Sequence, residues 1–365
     1  MNISVIGAGN SGLAMSAHLA LNNHKVTLWN RTPENIERLT KTKTIHTCGQ
    51  ITGAAKLDMV TSDINVALQN PDLIMIMTPA TAHRDLAIMI GRTLKKACPI
   101  ILNPGRTCGA IEFSHYFHLQ DSNLQPLIAE TQTVMHTCRK QSEDEVNIMA
   151  LKDSVYIAGL GPMCNESLVE FLPFCIRGHF LPAQSMIQTS IGNVGMVLHC
   201  APLLLNSGWT ENPNFTYRYY SDSITPHIAA FIEQIDRERL QVAEALGYYI
   251  DSVTEWFHRS YHTKYVKGES LYDVISRTEV YDDIDSPSTL HHRYILEDVP
   301  YGLVPLETLA HMMDIETSYT SLIIELACKM LRIDFRATGR NLKEINIQDV
   351  YAALLREDLL ETVYQ

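Results

Sequence analysis

The 365-residue sequence has no surplus of basic residues, and this absence excludes two common kinds of charged partner. Its 29 Lys and Arg residues are outnumbered by 41 Asp and Glu residues, which gives a formal net charge of -12. A nucleic-acid backbone or an anionic membrane surface is bound by clustered positive charge. We therefore expect neither partner, although a local basic pocket for the phosphate of a small ligand is compatible with this balance.

Two further absences concern cysteine spacing and apolar runs. The eight cysteines form no CxxC pair and no zinc-ligand spacing, so we expect reduced thiols and no metal site. No apolar run is long enough to cross a bilayer, and no signal-peptide pattern precedes the first strand-like residues. We therefore expect a cytoplasmic protein. The chain length and its 46% hydrophobic residues are sufficient for two ordinary domain cores.

The two halves of the chain differ in their hydrophobic periodicity. In the first half, short apolar runs such as residues 3–6 and 25–29 alternate with helix-like stretches, a pattern typical of parallel βαβ units. In the second half, amphipathic helical patterns such as residues 223–245 predominate. We predict an α/β fold, with a doubly wound Rossmann domain over residues 1–182 and an all-helical domain over residues 183–365.

A glycine-rich motif lies between the first predicted strand and the first predicted helix. It reads Gly7-Ala8-Gly9-Asn10-Ser11-Gly12. In a Rossmann domain the first glycine allows a tight turn, the second lets the backbone approach a pyrophosphate and the third lets the helix pack closely on the strand. We therefore predict that a nicotinamide dinucleotide binds here, with contacts from Gly7, Gly9, Asn10, Ser11 and Gly12.

The end of the second predicted strand indicates which dinucleotide is bound. An NAD site usually has Asp or Glu here for the ribose hydroxyl, whereas this chain has Asn30-Arg31-Thr32. A guanidinium can hold a 2′-phosphate through paired hydrogen bonds. We therefore predict that Asn30, Arg31 and Thr32 contact the cofactor and that NADP(H) is preferred over NAD(H). The alternative is that Arg31 only stacks on the adenine.

Two more segments follow predicted strands, where open α/β sheets bind their ligands. They are Thr78-Pro79 and Asn103-Pro104-Gly105. We predict that Thr78, Pro79, Asn103 and Gly105 complete the cofactor site.

Candidates for acid–base chemistry lie in the helical half. Residues 193–202 are largely apolar but include Asn193 and His199, and a histidine suits proton transfer near neutral pH. Residues 291–300 include Arg293 and Asp298 before Pro300, which we expect to end a helix. The alternatives are a core histidine bonded to a backbone carbonyl, and a solvated helix face with an internal ion pair. Spacing alone does not choose between them.

These residues resemble the opine dehydrogenase family, the octopine and nopaline dehydrogenase group, over essentially the whole chain. The glycine motif is shared with many Rossmann enzymes, but three later motifs are more specific. They are Glu130-Thr131 with Cys138-Arg139, then Asn193, His199 and Pro202 with 205–208, then His292-Arg293-Tyr294 with 297–300 and 302–305.

The resemblance implies a reductive condensation in which an amino acid and a 2-oxo acid, often pyruvate, form an imine that NAD(P)H reduces to a secondary amine. It implies that His199 and Asp298 handle protons. It also implies that Arg293 holds the oxo-acid carboxylate and that Glu130 and Asn193 contact substrate. The helical domain would be similar to the C-terminal domain of 6-phosphogluconate dehydrogenase. Many members have Pro-Tyr before the Cys-Arg pair, where this chain has 135–137 as Met-His-Thr, which leaves the amino acid open.

Two alternatives remain from the sequence. One is a two-domain dehydrogenase of the 2-hydroxyacid, ketopantoate or glycerol-3-phosphate type. Such enzymes typically use a lysine after the Rossmann domain, and residues 184–202 contain none. The other is a non-catalytic NADP(H)-binding regulator. A requirement for an amine co-substrate would separate the opine reaction from both alternatives. A homodimer is compatible with each of them.

Overall fold

The computed structural model describes residues 1–120, 123–160, 165–261, 264, 266, 268–278 and 284–355. The chain divides into two units, Met1–Ser190 and Ile191–Gln365. In the first unit the strands are β1 Asn2–Ile6, β2 Lys25–Trp29, β3 Thr44–Gly49, β4 Gly53–Lys56, β5 Met59–Thr61, β6 Leu73–Ile76, β7 Ile100–Leu102, β8 Ile128–Thr131, β9 His136–Ser142, β10 Glu145–Leu151, β11 Val155–Leu160 and β12 Phe180–Pro182. Its helices are α1 Asn10–Leu21, α2 Glu37–Thr42, α3 Ile64–Ala67, α4 His83–Thr93, α5 Gly109–His118, α6 Asn165–Phe171, α7 Phe174–Arg177 and α8 Met186–Ser190.

The main sheet of the first unit has eight strands in the order β12-β11-β8-β7-β6-β1-β2-β5. The six strands from β8 to β5 are all parallel to their neighbours, and β11 runs antiparallel to β8. When these six strands alone are numbered 1 to 6 in chain order, they follow the 3-2-1-4-5-6 order of a doubly wound dinucleotide-binding sheet. The Rossmann prediction is confirmed. Strands β6 and β7 are buried at every residue, which explains why they read as continuous apolar runs.

A second sheet, in the order β4-β3-β10-β9, was not predicted from the sequence. Its strands alternate buried and exposed residues and include many polar side chains, so they lack the apolar runs of the main sheet. Helix α1 packs against this sheet as well as the main one, and its residues 12–19 are all buried. A helix that is apolar on nearly every side is expected when both of its faces are covered.

The division between the units lies eight residues beyond the end of the predicted Rossmann domain at residue 182. Residue 182 is the last residue of β12, but helix α8 stays with the first unit. The reason is a buried contact: the hydroxyls of Thr189 and Ser190 both donate to the carboxylate of Glu130 on β8. The sequence pattern gives no indication of this link.

The described part of the second unit is helical, as predicted. Its helices are α9 Gly195–Leu205, α10 Ser207–Thr210, α11 Pro226–Ala245, α12 Val253–Tyr261, α13 Leu271–Ile275, α14 Arg293–Leu296, a π-helical turn Val299–Leu303, α15 Val304–Met312, α16 Ser318–Leu331, α17 Phe335–Thr338 and α18 Ile347–Leu354.

Two buried charged residues of α11 bind backbone groups that lie far away in the sequence. Arg239 donates to the carbonyls of Ile191 and Asp251. Glu238 accepts from the N–H groups at the start of α16. The two side chains use their charges to satisfy backbone groups, including those at a helix start that would otherwise be unpaired inside the unit.

The prediction that Pro300 ends a helix is wrong. Helix α14 already ends at Leu296, and Pro300 lies in the first positions of the next helical turn. Proline is well tolerated there because the N–H it lacks would have no helical partner.

The described residues contain no helix that is long and apolar enough to cross a membrane. Within the same residues, no cluster of three or more His, Cys, Asp or Glu side chains could hold a metal ion. Seven cysteines are free thiols, and Cys164 lies outside the described residues.

Candidate active site

The glycine motif forms the turn between β1 and α1, and its three glycines have different surroundings. Gly7 has a φ of +114°, and a Cβ on it would lie 2.7 Å from the carbonyl oxygen of Met77. A Cβ on Gly12 would lie 1.8 Å from the carbonyl oxygen of Gly7. A Cβ on Gly9 would meet no heavy atom within 4 Å. Gly7 and Gly12 are thus required by the fold itself, whereas Gly9 faces space that a ligand can fill.

Gly9 is also the N-cap of α1. It has no side chain to cap the helix, and the first turn contains no acidic residue. The positive end of a 12-residue helix is therefore not neutralised by the protein there. This arrangement fits the pyrophosphate of a dinucleotide.

Three side chains stabilise the glycine turn. Asn30 lies outside the motif and bonds to it, whereas Asn10 of the motif and Lys140 of β9 link the turn to the second sheet. Asn30 accepts the N–H of Ala8 at 3.2 Å and donates to the carbonyl of Thr32 at 3.0 Å. Asn10 accepts the N–H of Lys140 at 2.8 Å, and the Lys140 ammonium lies 3.4 Å from the Ala8 carbonyl oxygen. The exposed guanidinium of Arg31 follows Asn30 directly. The position of Lys140 on β9 was not predicted from the sequence.

The other predicted cofactor residues lie after β6 and β7, which are the strands next to β1. The ideal Cβ position of Gly7 lies 2.8 Å from the methyl carbon of Thr78, and Pro79 follows Thr78 at the start of a short 3₁₀ turn. Asn103 is buried and donates to the carbonyl of Ile101. A Cβ on Gly105 would lie 2.2 Å from a carboxylate oxygen of Glu130. All four predicted residues therefore follow the carboxyl ends of neighbouring parallel strands.

Glu130 is fully buried and both of its carboxylate oxygens have partners within the first unit. One oxygen accepts the hydroxyls of Thr189 at 2.9 Å and Ser190 at 2.5 Å. The other accepts the N–H of Ala110 at 2.8 Å. A substrate would have to compete with these bonds. The contact between Glu130 and an amino acid therefore stays a prediction, and a structural role is established beside it.

His199 lies in the middle of helix α9, close to a local break in its hydrogen bonding. Pro202 has no N–H, so the carbonyl of Leu198 receives no bond from four residues ahead. The hydroxyl of Tyr219 lies 3.4 Å from the carbonyl oxygen of Leu198 and donates to the carbonyl oxygen of His199 at 2.6 Å. Tyr219 therefore supports the backbone on which His199 is mounted.

The imidazole of His199 has a partner at each nitrogen. Nδ1 lies 2.8 Å from Oδ2 of Asp298, although the two residues are 99 positions apart in the sequence. Nε2 lies 3.2 Å from the hydroxyl of Tyr220. Asp298 is fully buried, and 14% of the His199 side chain is exposed. Because a carboxylate only accepts hydrogen bonds, this geometry places a proton on Nδ1 and leaves Nε2 as the nitrogen that exchanges one.

Aromatic rings enclose this pair. Tyr294 stacks on His199 with ring centroids 3.9 Å apart and an angle of 13° between the planes. Burial raises the pKa of both Tyr219 and Tyr220 well above the ordinary value, and the neighbouring Tyr294 phenol adds to the shift. Both hydroxyls are therefore protonated at neutral pH.

The remaining predicted substrate residues lie near this cluster in sequence. Arg293 begins α14, directly before Tyr294. Its side chain is 59% exposed, and its Nε lies 3.7 Å from a carboxylate oxygen of Glu297. Asn193 is buried, and its side-chain oxygen accepts the N–H of Gly195 at the start of α9. The structure brings His199 and Asp298 into contact. It gives Asn193 a helix-start bond and leaves Arg293 largely exposed.

An acid–base pair of this kind can take up and release one proton near neutral pH, because the carboxylate fixes the imidazole tautomer and stabilises its charged form. Sequence reasoning missed Tyr219 and Tyr220. The aromatic run 217–220 indicates a buried aromatic cluster, but it does not indicate which ring meets which nitrogen.

Two family models match the chain. The model of the alpha-helical domain of NAD/NADP octopine/nopaline dehydrogenase matches residues 182–331. The model of the N-terminus of NAD-dependent glycerol-3-phosphate dehydrogenase matches residues 2–104. The second match is confined to the nucleotide-binding part. It therefore gives no support to a glycerol-3-phosphate type of substrate domain.

Similar proteins span both units. An opine dehydrogenase of Arthrobacter sp. (strain 1C) is 31% identical over 361 residues, which cover 97% of each chain. The structure of octopine dehydrogenase with NADH and L-arginine has a TM-score of 0.77 at 17% identity, over 94% of this chain and 93% of that one. The structure with NADH and pyruvate has a TM-score of 0.75 at 16% identity, over 99% and 98%. At these identities the two structures establish the fold alone.

Proposed function

Since this chain belongs to the opine dehydrogenase family, whose members are NAD(P)-dependent oxidoreductases, we propose that it condenses the amino group of an amino acid with pyruvate and reduces the resulting imine. The product is a secondary amine with two carboxylates. The observation that carries the proposal is the His199–Asp298 pair at 2.8 Å, formed by two segments that both lie within residues 182–331, which match the octopine/nopaline dehydrogenase helical domain.

The first unit supplies the cofactor site in this proposal. When bound, NAD(P)H supplies the hydride for the imine carbon. The glycine turn and the uncapped start of α1 would hold the pyrophosphate, and Thr78, Pro79, Asn103 and Gly105 would hold the remainder. We propose NADP(H) as the preferred form because the exposed Arg31 directly follows Asn30, because the Lys140 ammonium lies beside the turn, and because no acidic residue follows β2 at the ribose position.

The second unit supplies the proton chemistry. Condensation requires that the amino group lose a proton and that the carbinolamine hydroxyl leave as water, which takes up a proton. We assign both transfers to Nε2 of His199, while Asp298 holds the proton on Nδ1 and stabilises the imidazolium.

Arg293 is proposed to hold the carboxylate of the oxo acid through paired hydrogen bonds. Its exposure and its long contact with Glu297 leave it available for such a partner. Asn193 and Glu130 are proposed as further substrate contacts, which a substrate would make in competition with the bonds that both residues form within their own units.

The test follows the absorbance of NADPH with purified protein, pyruvate and a pool of amino acids, with each component omitted in turn and the set repeated with NADH. We expect oxidation only when both the oxo acid and an amino acid are present, and faster with NADPH. Splitting the pool then identifies the amino acid. Oxidation with an oxo acid alone would contradict the proposal and indicate a simple carbonyl reductase.

A further inference from the structure

The reaction proposed above assigns no role to Tyr220. We propose that Tyr220 is a positioning residue for this reaction, an inference that rests on the proposed role of His199. Its hydroxyl forms a hydrogen bond with Nε2 of His199 in both protonation states of the imidazole, and this bond sets the pH at which the imidazole exchanges its proton.

The geometry gives Tyr220 a different place from Asp298. The carboxylate lies on the Nδ1 edge of the ring, at 2.8 Å, and the Tyr220 hydroxyl lies on the opposite Nε2 edge, at 3.2 Å. The stacked ring of Tyr294 restricts the imidazole in the third direction. The ring is thus held at both edges and on one face, and its proton-exchanging nitrogen is held by a hydroxyl.

A hydroxyl is suited to this place because it can donate and accept. To neutral His199 it donates its proton to the Nε2 lone pair. To the imidazolium it turns and accepts the Nε2 proton. A carboxylate could do only the second, and an ammonium only the first. The Tyr220 hydroxyl stays protonated throughout, because burial raises its pKa well above the ordinary value.

Other titratable groups around the ring are unchanged in the Tyr220 variants described below. They are Asp298 at Nδ1, the phenols of Tyr219 and Tyr294, the neighbouring thiol of Cys200, and His292, which packs edge-on against Tyr294. The phenol of Tyr261 adds to the raised pKa of Tyr220. Of these, Tyr219 gives the matched control, because its hydroxyl bonds to the backbone carbonyl of His199 and not to the ring.

Removal of the Tyr220 hydroxyl has a definite sign. In Tyr220→Phe, Nε2 loses its hydrogen bond to the Tyr220 hydroxyl in both protonation states. The loss is larger for the imidazolium, because hydrogen bonds to a charged group are about twice as strong as those between neutral groups. The charged form is therefore destabilised more, and we expect the pKa of His199 to fall by about one pH unit.

The experiment is an NMR titration of full-length protein labelled with ¹⁵N at histidine, with His199→Gln used to assign the His199 signals. We expect the His199 titration to move to lower pH in Tyr220→Phe and to stay in place in Tyr219→Phe. Tyr220→Met also lacks the hydroxyl and can adapt its shape, so it serves if the Phe variant does not fold. No shift, or an equal shift in the Tyr219 and Tyr220 variants, overturns the inference.

The pH dependence of kcat/KM gives a second readout that a merely structural role would not move. The ionisation assigned to His199 should shift to lower pH in Tyr220→Phe by the same amount as the NMR titration. If His199→Ala keeps its turnover, the proposed catalytic role fails, and the NMR titration still reports whether Tyr220 controls the imidazole. The two failures are therefore distinguishable.

Discussion

The two units of this chain form their candidate sites in opposite ways. In the first unit, the proposed nucleotide site is centred on a contiguous stretch of six residues, which would act through backbone groups and through the absence of side chains. In the second unit, His199, Tyr220 and Asp298 come from three separate segments and act through their side chains. The first kind of site is visible in a local pattern, whereas the second exists only after folding.

This difference has a consequence for substitution. A site built from backbone is sensitive to any added atom, whereas a site built from side chains is sensitive to the removal of a group. Three experiments test how far that contrast holds, and they are given from the largest expected effect to the smallest.

The largest effect is expected in the side-chain site. His199→Ala should lower kcat by roughly two to four orders of magnitude, the usual scale for a lost acid–base group. The binding of NADPH, measured by fluorescence titration, should be unchanged. His227→Ala, an exposed histidine on α11, is the matched control and should keep its turnover. Near-normal turnover in His199→Ala would remove this residue from the chemistry.

An intermediate effect is expected in the backbone site, where two glycines should behave differently. Gly12→Ala places a methyl carbon 1.8 Å from the carbonyl oxygen of Gly7, so the protein should lose about 1–3 kcal/mol of stability as well as nucleotide affinity. Gly9→Ala meets no protein atom within 4 Å, so it should weaken nucleotide binding with no loss of stability. Urea unfolding and NADPH titration separate the two. Equal stability loss in both variants would contradict this description of the turn.

The smallest effect concerns pH and lies in the first unit. His18 and His136 are bonded to each other at 3.2 Å, and burial lowers their pKa values to about 4 and about 3. Charge repulsion from His179 lowers both pKa values further, and repulsion from His18 also lowers that of His136. In the unfolded chain these two imidazoles take up protons near pH 6.5, whereas in the folded chain they stay neutral at that pH. This contribution to stability is therefore complete above pH 6.5 and is lost as the pH falls toward 4.

The measurement compares urea midpoints at pH 7.5 and pH 5.0. The wild type should be less stable at the lower pH, and a double variant, His18→Leu with His136→Phe, should lose much of that difference even if it is less stable overall. An unchanged pH dependence would show that other groups are responsible.

The sequence predicts much of the main sheet because its parallel strands are buried on both faces. Strand β2 has the predicted bounds of residues 25–29. The second sheet escapes prediction since its polar alternating strands depend on α1 for cover. Pro300 was assigned to a helix end although proline suits a helix start equally well.

The catalytic candidates show the same limit more clearly. The pairing of His199 with Asp298 follows from a family resemblance and from no spacing rule, because 99 residues separate them. Tyr220 follows from neither source. Its neighbour Tyr219 has the same side chain, and only the folded chain shows that one hydroxyl reaches the ring and the other the backbone.

The bond between Lys140 and Asn10 bears on how this chain can be cut or recombined. Because the glycine motif is contiguous, it looks transferable to another protein as a single segment. The match of residues 2–104 to another dehydrogenase family points to the same conclusion. Yet Asn10 of the turn is bonded to Lys140 of β9, which lies 130 residues later in the sequence. A fragment ended at residue 104, or a chimera joined there, would carry every glycine of the motif and lack the strand that holds Asn10 and places a cation beside Ala8. A graft intended to move cofactor preference between enzymes should therefore exchange β9 together with the glycine turn.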